Sequence, residues 1–164
     1  MHLSAQASYQ ANAAQVAAML ADREFVETKV RASGAVAQTI DVAGVSDGAF
    51  TVTTRRQVPT TDVPAQFRTL VGGTLEVREV QAWQAPTTNG RHGTIVVEVT
   101  GAPVRLTGTM RMTESGAAST TVVIDADLKA SIPFFGGAVE KAISDAMHGA
   151  FGAEERAGVA WLAR

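Results

Sequence analysis

The 164-residue chain contains no cysteine. Disulfides, thiol catalysis and cysteine-bound metals are therefore excluded. Charged side chains are few, at 18% of the chain, and fourteen basic residues face sixteen acidic ones for a net charge of −2. Such a balance lacks the basic footprint of a nucleic-acid binder, and nothing in it draws the chain to anionic lipid. Aromatic side chains are scarce: two Trp, one Tyr and six Phe. No apolar run approaches the ~18 residues needed to cross a bilayer. Residues 1–20 hold no Lys or Arg, and Gln6, Gln10, Asn12 and Gln15 interrupt their apolar positions. A secretory signal needs a basic start and an unbroken apolar stretch. A cytoplasmic protein with no transmembrane segment is the expectation. A chain of this size buries roughly 70% of the surface it exposes unfolded, and one domain over residues 1–164 is expected.

What is present alternates by texture. Leu3, Ala5, Ala7 and Tyr9 recur at period two and predict a strand over 2–9. Asn12 then offers a helix cap ahead of Val16, Met19 and Leu20. A second short helix is predicted from Asp22 through Lys29, with Phe25 and Val26 inward and Gly34 beyond its end. From residue 35 Val and Thr dominate. Ala35–Val45 and Ala49–Val58 flank Ser46-Asp47-Gly48, a hairpin signal. Asp62 can cap a short helix whose first turn holds Pro64 and whose apolar side is Phe67, Leu70 and Val71. Strand texture resumes at Thr74–Gln84, Gly93–Thr100, Val104–Thr113 and Ala118–Ile132, with turn chemistry between them. After Pro133 and Gly136-Gly137, an apolar stripe runs Val139, Ala142, Ile143, Ala146, Met147, Ala150 and Phe151 at helical spacing.

A long amphipathic helix must bury its stripe, and the largest apolar surface available is the sheet. The expected fold is α+β: an antiparallel sheet of six or seven strands wrapped around a long C-terminal helix over about 137–162, with two short helices after the first strand. That order resembles the helix-grip arrangement of the START-like superfamily. The stretches Gly101-Ala102-Pro103-Val104-Arg105-Leu106-Thr107-Gly108-Thr109 and Lys129-Ala130-Ser131-Ile132-Pro133-Phe134-Phe135-Gly136-Gly137-Ala138-Val139-Glu140-Lys141 make the likeness more specific. With Tyr9, Val16, Phe25 and the closing Trp161-Leu162, they resemble an uncharacterised actinobacterial family of that superfamily, akin to polyketide cyclases, lipid-transfer domains and birch-pollen-type allergens. The resemblance implies an internal cavity between sheet and helix. It carries no agreed catalytic residues across.

Candidates for chemistry are few. His2, His92 and His148 are too scattered for a metal motif, and no metal site or cofactor is expected. Asp145 and His148 share the polar side of the long helix, where a solvated pair is the expectation. Asp125 and Asp127 alternate with Lys129 on what reads as the wet face of the last strand. In 74–84, Leu75 and Val77 are in phase with Glu79, Gln81 and Trp83, whereas Val80 and Ala82 take the opposite phase. A bulge near Arg78, or exposure of the strand end, is the expectation. Without a bulge, Glu79 is the polar group inside the cavity, and burial would raise its pKa. Val104, Leu106, Gly108, Met110 and Met112 form one face of their strand, an adaptable and roomy wall or ordinary core filler.

Binding or carrying a small apolar molecule, a lipid, polyketide or isoprenoid, is the leading functional expectation. Val77, Glu79, Trp83, Val97, Leu106, Met110, Ile143 and Met147 are its candidate cavity residues. A cyclase or dehydratase acting on a polyketide-like chain is the first alternative, and a ligand-free structural or regulatory module the second. Acid–base catalysis needs an enclosed acid or base near its substrate. Glu79, and after it Gln81, are the inward groups available. A lone carboxylate without an orienting partner does not make an active site, so no catalytic residue is assigned. A void above ~300 Å³ separates the binding and enzyme readings from the module. The oligomeric state is open.

Overall fold

A computed structural model describes residues 1–164, the side chains of Asp62 and Leu70 excepted. The chain opens with β1 (His2–Tyr9), α1 (Ala13–Leu20) and α2 (Arg23–Ala32). Five strands follow the β2 (Ala37–Gly44) edge, namely β3 (Phe50–Pro59), β4 (Thr74–Trp83), β5 (Arg91–Val99), β6 (Val104–Glu114) and β7 (Thr120–Ala130). Between β3 and β4 lie a 3-10 turn (Thr60–Asp62) and the short α3 (Ala65–Val71). The long α4 (Gly136–Leu162) ends the chain.

The short helices start where local chemistry places them. Asn12 accepts from the Gln15 amide while the Gln15 side chain accepts from the Asn12 amide, a closed capping box. Asp22 caps α2 by accepting from the Glu24 and Phe25 amides. For α3 the expectation fails: Pro64 stands at the N-cap with no side-chain cap, and Asp62 belongs to the preceding 3-10 turn. The expected apolar position Leu70 has its side chain outside the described residues, whereas Phe67 is buried and meets Phe135 edge-on at 5.6 Å.

All seven strands form one antiparallel sheet in the order β1-β7-β6-β5-β4-β3-β2. The meander runs from β2 to β7, and β1 closes onto β7. Gly44 sits at the β2–β3 corner with φ +89°, and a Cβ there would fall 2.3 Å from the Ala49 carbonyl oxygen. Only glycine fits that corner. The helix α4 packs against β1, β7, α1 and α2, so the sheet grips it from one side. No helix among the described residues is long and apolar enough to cross a membrane.

Burial along α4 is uneven. Val139, Glu154 and Gly158 are buried, while Ile143, Met147 and Phe151 are half-buried and Ala146 is exposed. The middle of the stripe therefore rests lightly on the sheet, and its two ends are anchored.

Candidate functional site

Strand phase builds the site. On β3, Phe50, Val52, Thr54 and Arg56 all point inward, although the last is a cation. β4 pairs with β3 from Phe50↔Trp83 to Pro59↔Thr74 and with β5 from Val77↔Val99 to Trp83↔Gly93 without a skipped residue. The bulge expected near Arg78 does not form. Unbroken register keeps Glu79, Gln81 and Trp83 on the concave face, where all three are buried.

Two helices complete the set from above. Lys29 lies in the apolar phase of α2 with Phe25, Val26 and Val30. Glu154 continues the α4 stripe one turn past Phe151. Lys29, Arg56, Glu79, Gln81 and Glu154 are each less than 10% exposed. Arg56 Nη2 donates to Glu79 Oε2 at 2.9 Å, and Gln81 Nε2 donates to Glu79 Oε1 at 2.7 Å. Lys29 Nζ donates to Glu154 Oε2 at 3.3 Å, and Arg56 Nη1 stands 3.8 Å from Glu154 Oε1. Arg56 thus links both carboxylates.

The two carboxyls answer differently to the same enclosure. Burial is the largest effect on Glu79 and acts to raise its pKa. The charges of Arg56 and Lys29, with the hydrogen bonds from Gln81 and Arg56, outweigh it, and Glu79 is held below the usual carboxylate range. The expected rise is corrected accordingly, because Glu79 is not a lone carboxylate. Glu154 moves the other way: burial raises its pKa and the Glu79 charge adds to this, against the pull of Lys29 and Arg56. Burial also raises the pKa of nearby Tyr9, and the charges of Glu154 and Glu155 add to the rise. Glu79 is therefore a fixed counter-ion for Arg56, unlike a general base poised near neutrality.

Beside this cluster lies a cavity of about 50 Å³. Its polar side is Gln6, Tyr9, Lys29, Gln81, Trp83 and Glu154, and its apolar side includes Leu20, Met110, Val122, Ile124 and Phe151. That volume admits a few water molecules at most. Two enclosed atoms, Trp83 Nε1 and Glu154 Oε1, have no hydrogen-bond partner among the described residues.

Of the eight sequence candidates, Trp83 and Met110 line this cavity. Glu79, Val97 and Leu106 are buried in the core, and Val77, Ile143 and Met147 are partly buried against it. The glycine of the β6 wall gives no room. A Cβ on Gly108 would meet Asp125 O at 2.3 Å and Ala126 Cβ at 2.5 Å. His2, His92 and His148 are exposed. His148 contacts the Ser144 and Ser4 carbonyls, and Asp145 pairs with Lys141 rather than with His148. Sequence reasoning missed Lys29, Arg56 and Glu154. Each carried a signal, a charge in the apolar phase of its own element.

Element order, the seven-stranded antiparallel sheet and the gripped C-terminal helix define a START-like helix-grip fold. The chain belongs to the family described as "Protein of unknown function (DUF2505)", whose model matches residues 4–162. No curated protein matches the sequence. Among solved structures it is similar to a protein of Thermus thermophilus, with TM-score 0.61, 16% identity and 98% of each chain covered. A START superfamily protein from Mycobacterium smegmatis gives TM-score 0.59 and 17% identity, again over 98% of each chain. An aromatase/cyclase from a Streptomyces species gives 0.58 and 15%, over 98% of this chain and 92% of the other. At these identities the likeness is one of fold.

Proposed function

We propose that the chain, acting as one START-like domain over residues 1–164, binds a small and largely apolar molecule between the sheet and α4. A lipid, polyketide or isoprenoid is the class intended. The observation that carries this reading is the unpaired hydrogen-bonding atoms of Trp83 and Glu154 beside a cavity whose other wall is apolar. Ligand pockets pair an apolar lining with a few convergent polar groups, whereas a purely structural core pairs its buried polar atoms internally. Occupancy by a whole ligand requires α4 to move outward, and the half-buried Ile143, Met147 and Phe151 are what such a movement must release.

One observation favours a second reading, the ligand-free module. The cavity volume of about 50 Å³ is far below the ~300–1,000 Å³ of ligand pockets. Native mass spectrometry of protein purified from its own host decides between them. A retained small molecule supports the binding reading. No retained mass, together with no Trp83 fluorescence response to any member of an apolar library, supports the module.

A further inference from the structure

Among the enclosed atoms without a hydrogen-bond partner at the polar end of the cavity, donors outnumber acceptors. The Lys29 ammonium carries three protons and gives one of them to Glu154. Trp83 Nε1 is a donor only and has no acceptor among the described residues. Arg56 Nη1, enclosed next to them, also lacks a hydrogen-bond acceptor there. Among these enclosed atoms without a partner, the acceptor is Glu154 Oε1, which stands 3.8 Å from Arg56 Nη1. Lys29, Trp83 and Glu154 are each at least nine-tenths buried, so water does not freely satisfy them.

Resting on the binding reading above, we propose that the bound molecule carries a carboxylate head that docks on Lys29 Nζ and Trp83 Nε1. Its apolar tail then lies toward Met110, Ile124 and Phe151. A carboxylate is acceptor-only and takes both surplus donors, one of them charged, whereas a hydroxyl brings a further donor. The cavity of about 50 Å³ is of headgroup size; the tail is the part that displaces α4. Among the described residues that line the cavity, Glu154 is the acidic one. Burial and the Glu79 charge raise its pKa, which lessens its repulsion of the docked head.

The test titrates decanoate, decanol and methyl decanoate into the intact Trp161→Phe protein and follows Trp83 fluorescence. Decanoate should bind at least about tenfold more tightly than the alcohol or the ester, the scale of one charge-assisted hydrogen bond. Lys29→Met should remove that preference. Equal affinity for the three probes overturns the carboxylate proposal and leaves the binding reading standing. No binding of these probes or of any other apolar ligand overturns both. The three-probe comparison uses the Lys29 protein and so holds even if Lys29→Met fails to fold.

Discussion

Arg56 and Glu79 face each other at 2.9 Å with 8% and 2% of their surfaces exposed. Breaking a buried pair from one side strands the other charge and costs about 3–5 kcal/mol. For a chain of this size each kcal/mol lowers Tm by roughly 2–4 °C. Arg56→Met and Glu79→Leu should therefore each lower Tm by about 6–20 °C. The double variant should lose much less than the sum, because neither charge is left behind and two apolar side chains occupy their space. The single variants should also differ in pH response. After Glu79→Leu, Arg56 still has Glu154 at 3.8 Å. After Arg56→Met, burial dominates Glu79, and its folded pKa should rise above the unfolded value. Stability is then lost as pH rises, and the deficit of Arg56→Met against the parent should widen from pH 4.5 to 7.5. Urea titrations followed by far-UV circular dichroism give all four free energies. Single-variant losses below about 1 kcal/mol, the level of an exposed ion pair, would refute the view that the cluster is sealed.

The parent protein should itself respond to pH through Glu154. Glu79, held low, contributes stability that is present above the ordinary 4.5 and lost as pH falls through its folded value. Glu154, held high, contributes stability that is present below 4.5 and lost as pH rises through its folded value. Tm should accordingly decline from pH 4.5 toward 8, Glu154→Gln should flatten the decline, and an identical slope in both proteins counts against the assignment. Two glycines of α4 should respond oppositely to alanine. A Cβ on Gly158 lies 2.6 Å from the buried Tyr9 ring, so Gly158→Ala should cost about 1–2 kcal/mol despite better helix propensity. Gly149 has nothing within 4 Å, so Gly149→Ala should gain about 0.5–1 kcal/mol. Thermal melts of the two variants check both, and equal signs would refute the packing described.

Elements fixed by neighbours in the chain were readable from the sequence. The alternation of Leu3 to Tyr9, the Asn12 and Asp22 caps, the Ser46-Asp47-Gly48 turn and the α4 stripe are each a local pattern with a local cause. Asp62 shows the limit of such signals. An Asp ahead of a proline suits a helix cap, yet a 3-10 turn takes that residue and Pro64 starts the helix. β5 begins at Arg91, two residues before the glycine that marked it, because the Arg91 guanidinium donates to the Ser46 and Gly48 carbonyls of the neighbouring hairpin. That bond spans more than forty residues, and no window of local pattern contains it.

The site was harder for the same reason, sharpened by charge. A carboxylate in the apolar phase of β4 costs too much to bury alone, so a register shift near Arg78 is the cheaper reading of that strand by itself. The structure removes the cost with partners from three other elements: Arg56 lies 23 residues away, and the Lys29–Glu154 pair spans 125. Each partner makes the same violation in its own element, a charge on the buried stripe of α2, β3 or α4. Taken singly, each invites a bulge, a strand end or a frayed helix. Taken together they are two cations and two carboxylates, all in phase and opposite in sign. Only a shared interior satisfies all four at once, and it does so unevenly, with Glu79 fully partnered and Lys29 left with protons to spare. That unevenness, at the end of the cluster facing the cavity, is what the proposed binding role draws on.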